Sequence, residues 1–200
     1  MSDEAQTRAY RKRKRALQEE ATRLRIIEAL VDMHQTLGPA NTSVKEVAER
    51  AGVSRMTVYN HFPTTADQLQ ACSSHWSSLN PEPDPAAWEA VADPRKRLRM
   101  GLGELYAWYR TTQDMMENVL RDAAVVPEVR DIVDEWWWPY IDRMVDVLGS
   151  GWENPDGQDD LLALLRLMVD FRTWQVLAGA GLDDARSASL AFRTVDCGSG

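Results

Sequence analysis

The stretch Ser43-Val-Lys-Glu-Val-Ala-Glu-Arg-Ala-Gly-Val-Ser-Arg-Met-Thr-Val-Tyr-Asn-His-Phe62 joins two short helical patterns at a glycine. In the first half, Val44, Val47, Ala48 and Ala51 recur at i, i+3, i+4, i+7 and so share one helical face. Ser43 with Glu46 three residues on has the form of a capping box, which marks a helix start. Gly52 can take the positive φ that ends this helix and turns the chain. Ser54 is placed to cap a second short helix in which Val58 and Phe62 face inward. Arg55, Met56, Thr57, Tyr59, Asn60 and His61 are then left outside. Such a face packs poorly but suits phosphates and base edges, and the pattern predicts a DNA-binding helix-turn-helix.

Taken from Thr42 through Pro63 and on to Leu69, the same run resembles the amino-terminal domain of TetR-family transcriptional regulators. The likeness rests on the turn glycine, the following Val-Ser, the Tyr-x-His-Phe ending and an upstream helix, and it covers residues 23 to 72. It implies a dimer presenting two recognition helices to successive major grooves of a palindromic double-stranded operator, about 34 to 36 Å apart. Ser54, Arg55, Met56 and Thr57 are expected to reach bases, with Arg55 best able to read guanine. Tyr59 and His61 are expected to grip phosphates, with Asn60 on the same surface and Thr42 and Ser43 at the start of the preceding helix. The chain departs from the pattern at Thr64-Thr65, where the family often has Ser-Lys, and at His34 and Pro39, where aromatic residues are usual. His34 reads as a core histidine.

The 200 residues carry a net charge of −8, unevenly distributed. Residues 1–75 hold 11 Lys and Arg against 9 Asp and Glu; residues 76–200 hold 12 against 22. The cationic end is where DNA would sit. Arg11-Lys-Arg-Lys-Arg15 is expected to form a flexible basic arm over residues 1–16, with Arg11, Arg13 and Arg15 meeting phosphates or a minor groove; a solubilising tail is the alternative. No apolar run reaches bilayer-spanning length, the amino terminus lacks a signal-peptide layout, and Cys72 and Cys197 have no metal-ligand spacing. A bacterial, cytoplasmic protein without metal or cofactor is the expectation.

Helix and turn punctuation predicts an all-α protein. A DNA-binding domain of three helices and a connecting fourth spans 17–79; a larger helical ligand-binding and dimerisation domain spans 86–196. The first helix should run from Leu17 to Leu37 with Leu24, Ile27, Leu30, Val31 and His34 inward, and the fourth from Thr64, capped with Asp67, to Ser78. Pro81, Pro83 and Pro85 stiffen a linker over Asn80 to Pro85. Later breaks are expected at Asp93-Pro94, Val126-Pro127, Gly149-Ser-Gly151, Asn154-Pro-Asp-Gly157 and Gly179-Ala-Gly181, and Cys197 to Gly200 reads as a frayed end.

Seven of the eight tryptophans lie between 88 and 174, so the second domain holds most of the aromatic mass. In a regular helix Trp136-Trp137-Trp138 would sweep about 200°, too wide for one buried stripe. Either all three pack against different helices, or some line a pocket for a small apolar or aromatic ligand. Candidate lining residues are Tyr106, Tyr109, Met116, Trp136, Tyr140, Met168, Phe171 and Trp174, with Asp170 and Glu104 as polar contacts for a cationic ligand. A helix over 158–178 is apolar nearly all round and needs cover. By the resemblance it would join 183–195 in a four-helix homodimer interface. With three histidines and no H-E-x-x-H, phosphate loop or nucleophile elbow, an enzyme is not expected. The alternatives are a helical protein-binding module using exposed tryptophans and a regulator without a ligand.

Overall fold

The computed structural model describes residues 2–152 and 157–198. Every regular element among them is helical. Helix α1 (Ser2–Thr36) leads through a 3-10 turn (Pro39–Asn41) to α2 (Val44–Ala51), α3 (Arg55–His61) and α4 (Thr65–Leu79). The second domain consists of α5 (Pro85–Glu89), α6 (Pro94–Asp122), α7 (Pro127–Ile132), a π-helical turn (Val133–Trp137), α8 (Trp138–Gly149), α9 (Gln158–Val169), α10 (Phe171–Gly179) and α11 (Asp184–Gly198).

The small domain buries one apolar stripe of α1 against α2 and α4. That stripe is Ile26, Ile27, Ala29, Leu30, Met33 and His34, so it begins two residues later than the sequence pattern suggested, and Leu24 is exposed. The expected start at Leu17 also needs correction, because α1 is continuous from Ser2. Residues 6–21 are exposed, and the Arg11–Arg15 block is a projecting basic helix, not a flexible arm. At 1.5 Å per residue, Arg15 stands roughly 16 Å from Ile26, where the core begins.

Helix α6 is the spine of the second domain. Asp93 caps its start by accepting the N–H groups of Arg95 and Lys96, and Pro94 supplies a first-turn residue with no N–H to satisfy. Its apolar face packs against α8, α9, α10 and α11 through Leu98, Leu102, Leu105, Tyr106 and Tyr109.

The helix expected over 158–178 is two helices. Asp170 adopts an extended backbone (φ −67°, ψ 133°) and its side chain caps α10 by accepting Arg172 N–H at 2.7 Å. The local capping bond competes with helix continuation at that residue. On α9, Leu161, Leu165, Met168 and Val169 are buried, whereas Leu167 on α9 and Val176 on α10 are exposed. The end expected to fray continues as helix through Gly198, and Ser199 and Gly200 lie outside the described residues, as do Asn154, Pro155 and Asp156 of one expected break.

The three tryptophans occupy a widened turn. Pro139 has no N–H to bond one turn back, and the preceding Trp138 N–H reaches Val133 O five residues away. Trp137 is buried in the core, Trp136 half-buried and Trp138 40% exposed.

Candidate nucleic-acid interface and the domain junction

Both short helices of the motif are stopped and started by side chains. Ser43 Oγ accepts Glu46 N–H while Glu46 accepts Ser43 N–H, closing the capping box at α2. Gly52 sits at φ 66°, ψ 39°, where a side chain would be strained, and Val53 N–H bonds back to Ala48 O at 2.9 Å. Ser54 caps α3 by accepting Thr57 N–H at 3.1 Å. Val58 and Phe62 plug the core beneath α3.

The outward residues divide into two groups. Arg55, Met56, Tyr59 and Asn60 are exposed on one arc of α3, and among the described residues their side chains make no hydrogen bond or ion pair. Ser54 and Thr57 are engaged with each other, their hydroxyls 2.9 Å apart. Ser43 is tied to Glu46, and Thr42 donates its hydroxyl to Gly38 O at 2.9 Å. His61 is half-buried beside Phe62. Arg11, Arg13 and Arg15 are exposed on the projecting part of α1. At the departure from Ser-Lys, Thr64 and Asp67 form a second complete capping box, so α4 starts firmly without the lysine.

Behind α3, α4 connects the recognition surface to the second domain. Gln68 donates to Phe62 O at 3.4 Å near its start. At the other end, three aromatic donors of the second domain hold α4 and the linker: Trp108 Nε1 bonds Asn80 O at 3.2 Å, Tyr140 Oη bonds Pro83 O at 2.8 Å, and Trp136 Nε1 bonds Glu82 at 3.4 Å. A separate polar clamp joins the end of α6 to the end of α1. Asn118 Nδ2 donates to His34 O and Gln35 O, and Asp122 accepts Ala40 N–H at 2.9 Å and Arg121 Nε at 2.7 Å. The asparagine bonds Gln35 O at the end of α1 and adds a second donor to His34 O, which also accepts Gly38 N–H at 3.1 Å. The sequence reading missed this clamp. Its one signal was the cluster Asn118, Arg121, Asp122 ending an otherwise amphipathic helix.

A cavity of about 420 Å³ lies at this junction, between α4, α6 and α7. Leu69, Ser73, Trp76 and Ser77 form its α4 side, and Met115, Met116, Val119, Ile132 and Val133 the other, with Glu135 and Trp136 at one end. His34 and Cys72 close its base, His34 Nδ1 lying 3.3 Å from Cys72 Sγ. Burial holds the His34 imidazole neutral, pushing its pKa down to about 4 against a weaker raising effect of Asp122, and pushes the Cys72 thiol up to about 12.

Of the residues nominated as a ligand lining, Met116 and Trp136 face this cavity and the others do not. Tyr106, Tyr109, Phe171 and Trp174 are fully buried in the second domain's core. Tyr106 and Tyr109 donate to Met168 O and Val169 O, and burial raises both phenols, so they are neutral anchors. Met168 is buried with them, Tyr140 holds the linker, and Asp170 caps α10. Glu104, offered for a cationic ligand, accepts the Trp88 indole N–H at 2.8 Å. Aromatic side chains on helices first fill the interior between helices; Asp170 and Phe171 also border a smaller pocket of about 240 Å³ beside Trp137 and Trp138. Among the described tryptophans Trp138 is the most exposed, Trp136 and Trp152 are half-buried and the rest are buried.

Comparison with known proteins places this geometry. The family described as bacterial regulatory proteins, tetR family, matches residues 26–72. Over 85 residues the chain is 36% identical to the HTH-type transcriptional regulator SrpR of Pseudomonas putida, covering 40% of each protein. It is 35% identical over 85 residues to a second Pseudomonas putida HTH-type regulator, TtgW, covering 40% of this chain and 63% of that one. The chain thus spans less than two thirds of either curated relative. Among solved structures, a Clostridium perfringens regulator named for fatty acid metabolism superposes with a TM-score of 0.66 at 15% identity, over 87% of this chain and 97% of that one. NalD, the secondary repressor of the MexAB-OprM multidrug efflux pump in Pseudomonas aeruginosa, superposes with a TM-score of 0.59 at 19% identity, over 90% and 95%. These relatives are regulators and not enzymes, and the structural likeness extends the shared fold across both domains.

Proposed function

We propose that the chain, whose residues 26–72 match the tetR family, is a cytoplasmic transcriptional regulator of that family that binds a palindromic operator as a homodimer and releases it when a small ligand enters the domain junction. The observation that carries the DNA-binding reading is the unengaged arc Arg55, Met56, Tyr59, Asn60 on a helix capped at its start and plugged beneath by Val58 and Phe62. Arg55 and Met56, at the first turn, are the base readers; Tyr59, Asn60 and His61 approach phosphates. Ser43, Ser54 and Thr57 position those groups through their caps and can share a hydroxyl with a phosphate, as Thr42 can from beside them. Arg11, Arg13 and Arg15 extend the cationic surface along α1.

Two recognition helices require a second copy. The exposed Leu167 and Val176, with half-buried Leu164 and Leu177 beside them, form an apolar face on α9 and α10 suited to a symmetric partner. Repression is favoured over activation because occupancy of a promoter needs no further partner surface. For release, α4 is the moving part. Its two ends are tied to different domains and the cavity opens along its middle, so a ligand that fits better with α4 displaced shifts the dimer away from groove spacing.

Selection of bound sequences from a random duplex pool tests the reading. A single recovered palindrome, bound two protomers at a time with far weaker binding elsewhere, is expected. No enrichment at low salt would sink it.

A further inference from the structure

The cavity at the domain junction is unevenly charged for its size. Among the described residues, no lysine or arginine lines it. The one carboxylate among them is Glu135, exposed at one end, and Glu82 lies just beyond it, hydrogen-bonded to the Trp136 indole. His34 at the base is held neutral by burial. The remaining polar groups are serine hydroxyls, Gln70 and the Cys72 thiol, none of which supplies a full positive charge to an anion. An organic anion entering here would leave water without a cationic partner and would approach two carboxylates, which is costly in an apolar pocket. A cation has Glu135 to pair with and the indoles of Trp76 and Trp136 among the lining.

We propose that the ligand of this cavity is an apolar organic cation. The proposal rests on the reading of the junction as the ligand site and adds the charge of what it takes. Size selects within the class: about 420 Å³ suits a compact multi-ring cation, and the thioethers of Met115 and Met116 adapt to its shape.

Tetraphenylphosphonium and tetraphenylborate have nearly the same shape and opposite charge, and calorimetric titration of the full-length protein with each separates charge from apolarity. Saturable binding of the phosphonium with no detectable binding of the borate is expected. Glu135→Gln should weaken the phosphonium by about two- to fivefold, the scale of one exposed ion pair. Ser73→Phe, which fills the cavity from α4, should abolish binding while leaving the helical circular dichroism unchanged. Because the chain is acidic overall, phosphonium binding that survives Ser73→Phe and disappears with salt is surface attraction and overturns the proposal, as does equal or tighter binding of the borate, or binding of neither. Operator affinity is measured separately. Phosphonium binding without operator release upholds the ligand class and removes the induction mechanism, so the two failures are distinguishable.

Discussion

The carboxylate of Asp122 accepts the backbone N–H of Ala40 at 2.9 Å, and this bond between the last residue of α6 and the turn after α1 ties the second domain to the base of the DNA-binding domain. The Asp122 side chain is 3% exposed and also holds Arg121. Asp122→Ala removes this part-buried bond, and because Ala40 is exposed its N–H can turn to water, so a loss of about 1 kcal/mol in unfolding free energy is expected. Urea denaturation checks it. A loss within error of zero would mean that the clamp is replaced by water.

Gly38 stands directly against the same clamp. Its φ of 87° lies where an L side chain is strained, and an added Cβ would run into the Arg121 guanidinium and the Asp122 carboxylate. Gly38→Ala is expected to cost about 1–3 kcal/mol from backbone strain alone, and more if the carboxylate cannot move. In the double variant with Asp122→Ala, part of the clash is gone, so the two losses should sum to more than the loss of the pair. Strict additivity in the same urea titrations would place the whole effect in the backbone.

His34 makes stability depend on pH. Its pKa is about 4 in the folded chain against 6.5 when unfolded, so between these values the unfolded state binds more protons and stability rises with pH. Going down from pH 6.5 to 4, the folded state loses about 3 kcal/mol on this account, at 1.36 kcal/mol per unit. Above pH 6.5 both states are neutral and the contribution is flat. Comparing the wild type with His34→Phe isolates it: the variant should lack that part of the slope. Parallel curves would show that the imidazole is protonated at no cost.

The local devices of the small domain were legible in the sequence because each is decided within four residues: the Ser43–Glu46 box, the positive φ at Gly52, the Ser54 cap and the Thr64–Asp67 box are all present as read. What failed was decided at a distance. Leu24 has the right spacing for the α1 stripe but stays exposed, lining an open groove with Gln70, Ala71 and Ser74 of α4 where it does not pack into the core. The 158–178 pattern carried no hint that Asp170 would turn its carboxylate onto Arg172 N–H and break the helix. Tyr106 and Tyr109 carry hydroxyls suited to a ligand, yet Met168 O and Val169 O, freed by that same break, take both. The cavity went unseen because it depends on the separation of α4 from α6 and α7, which no periodicity encodes.

Arg55 and Tyr59 share the exposed arc of α3 but should fail differently when changed. If Arg55 reads a base as proposed, Arg55→Ala should weaken operator binding by about 1–3 kcal/mol with little change on scrambled duplex. Tyr59→Phe removes only a hydroxyl and should weaken both duplexes alike. Fluorescence anisotropy at fixed salt on the two duplexes checks this. Equal losses on both for the arginine variant would contradict the assignment.

The basic segment of α1 makes a prediction that depends on its being helical. A flexible arm could fold back to any phosphate, whereas a continuous helix points Arg11, Arg13 and Arg15 along a direction fixed by α1. If that direction follows the duplex, each cation that meets a phosphate contributes about 0.9 to the slope of log affinity against log salt. Replacing Arg11, Arg13 and Arg15 together by Ala should therefore flatten the slope by one to several such increments per protomer, equally on operator and scrambled DNA, with base preference kept. The replacement also raises helix propensity, so a loss of affinity cannot come from melting the segment. An unchanged slope would place the segment away from the duplex and leave it as a solvated extension, with recognition confined to α2 and α3.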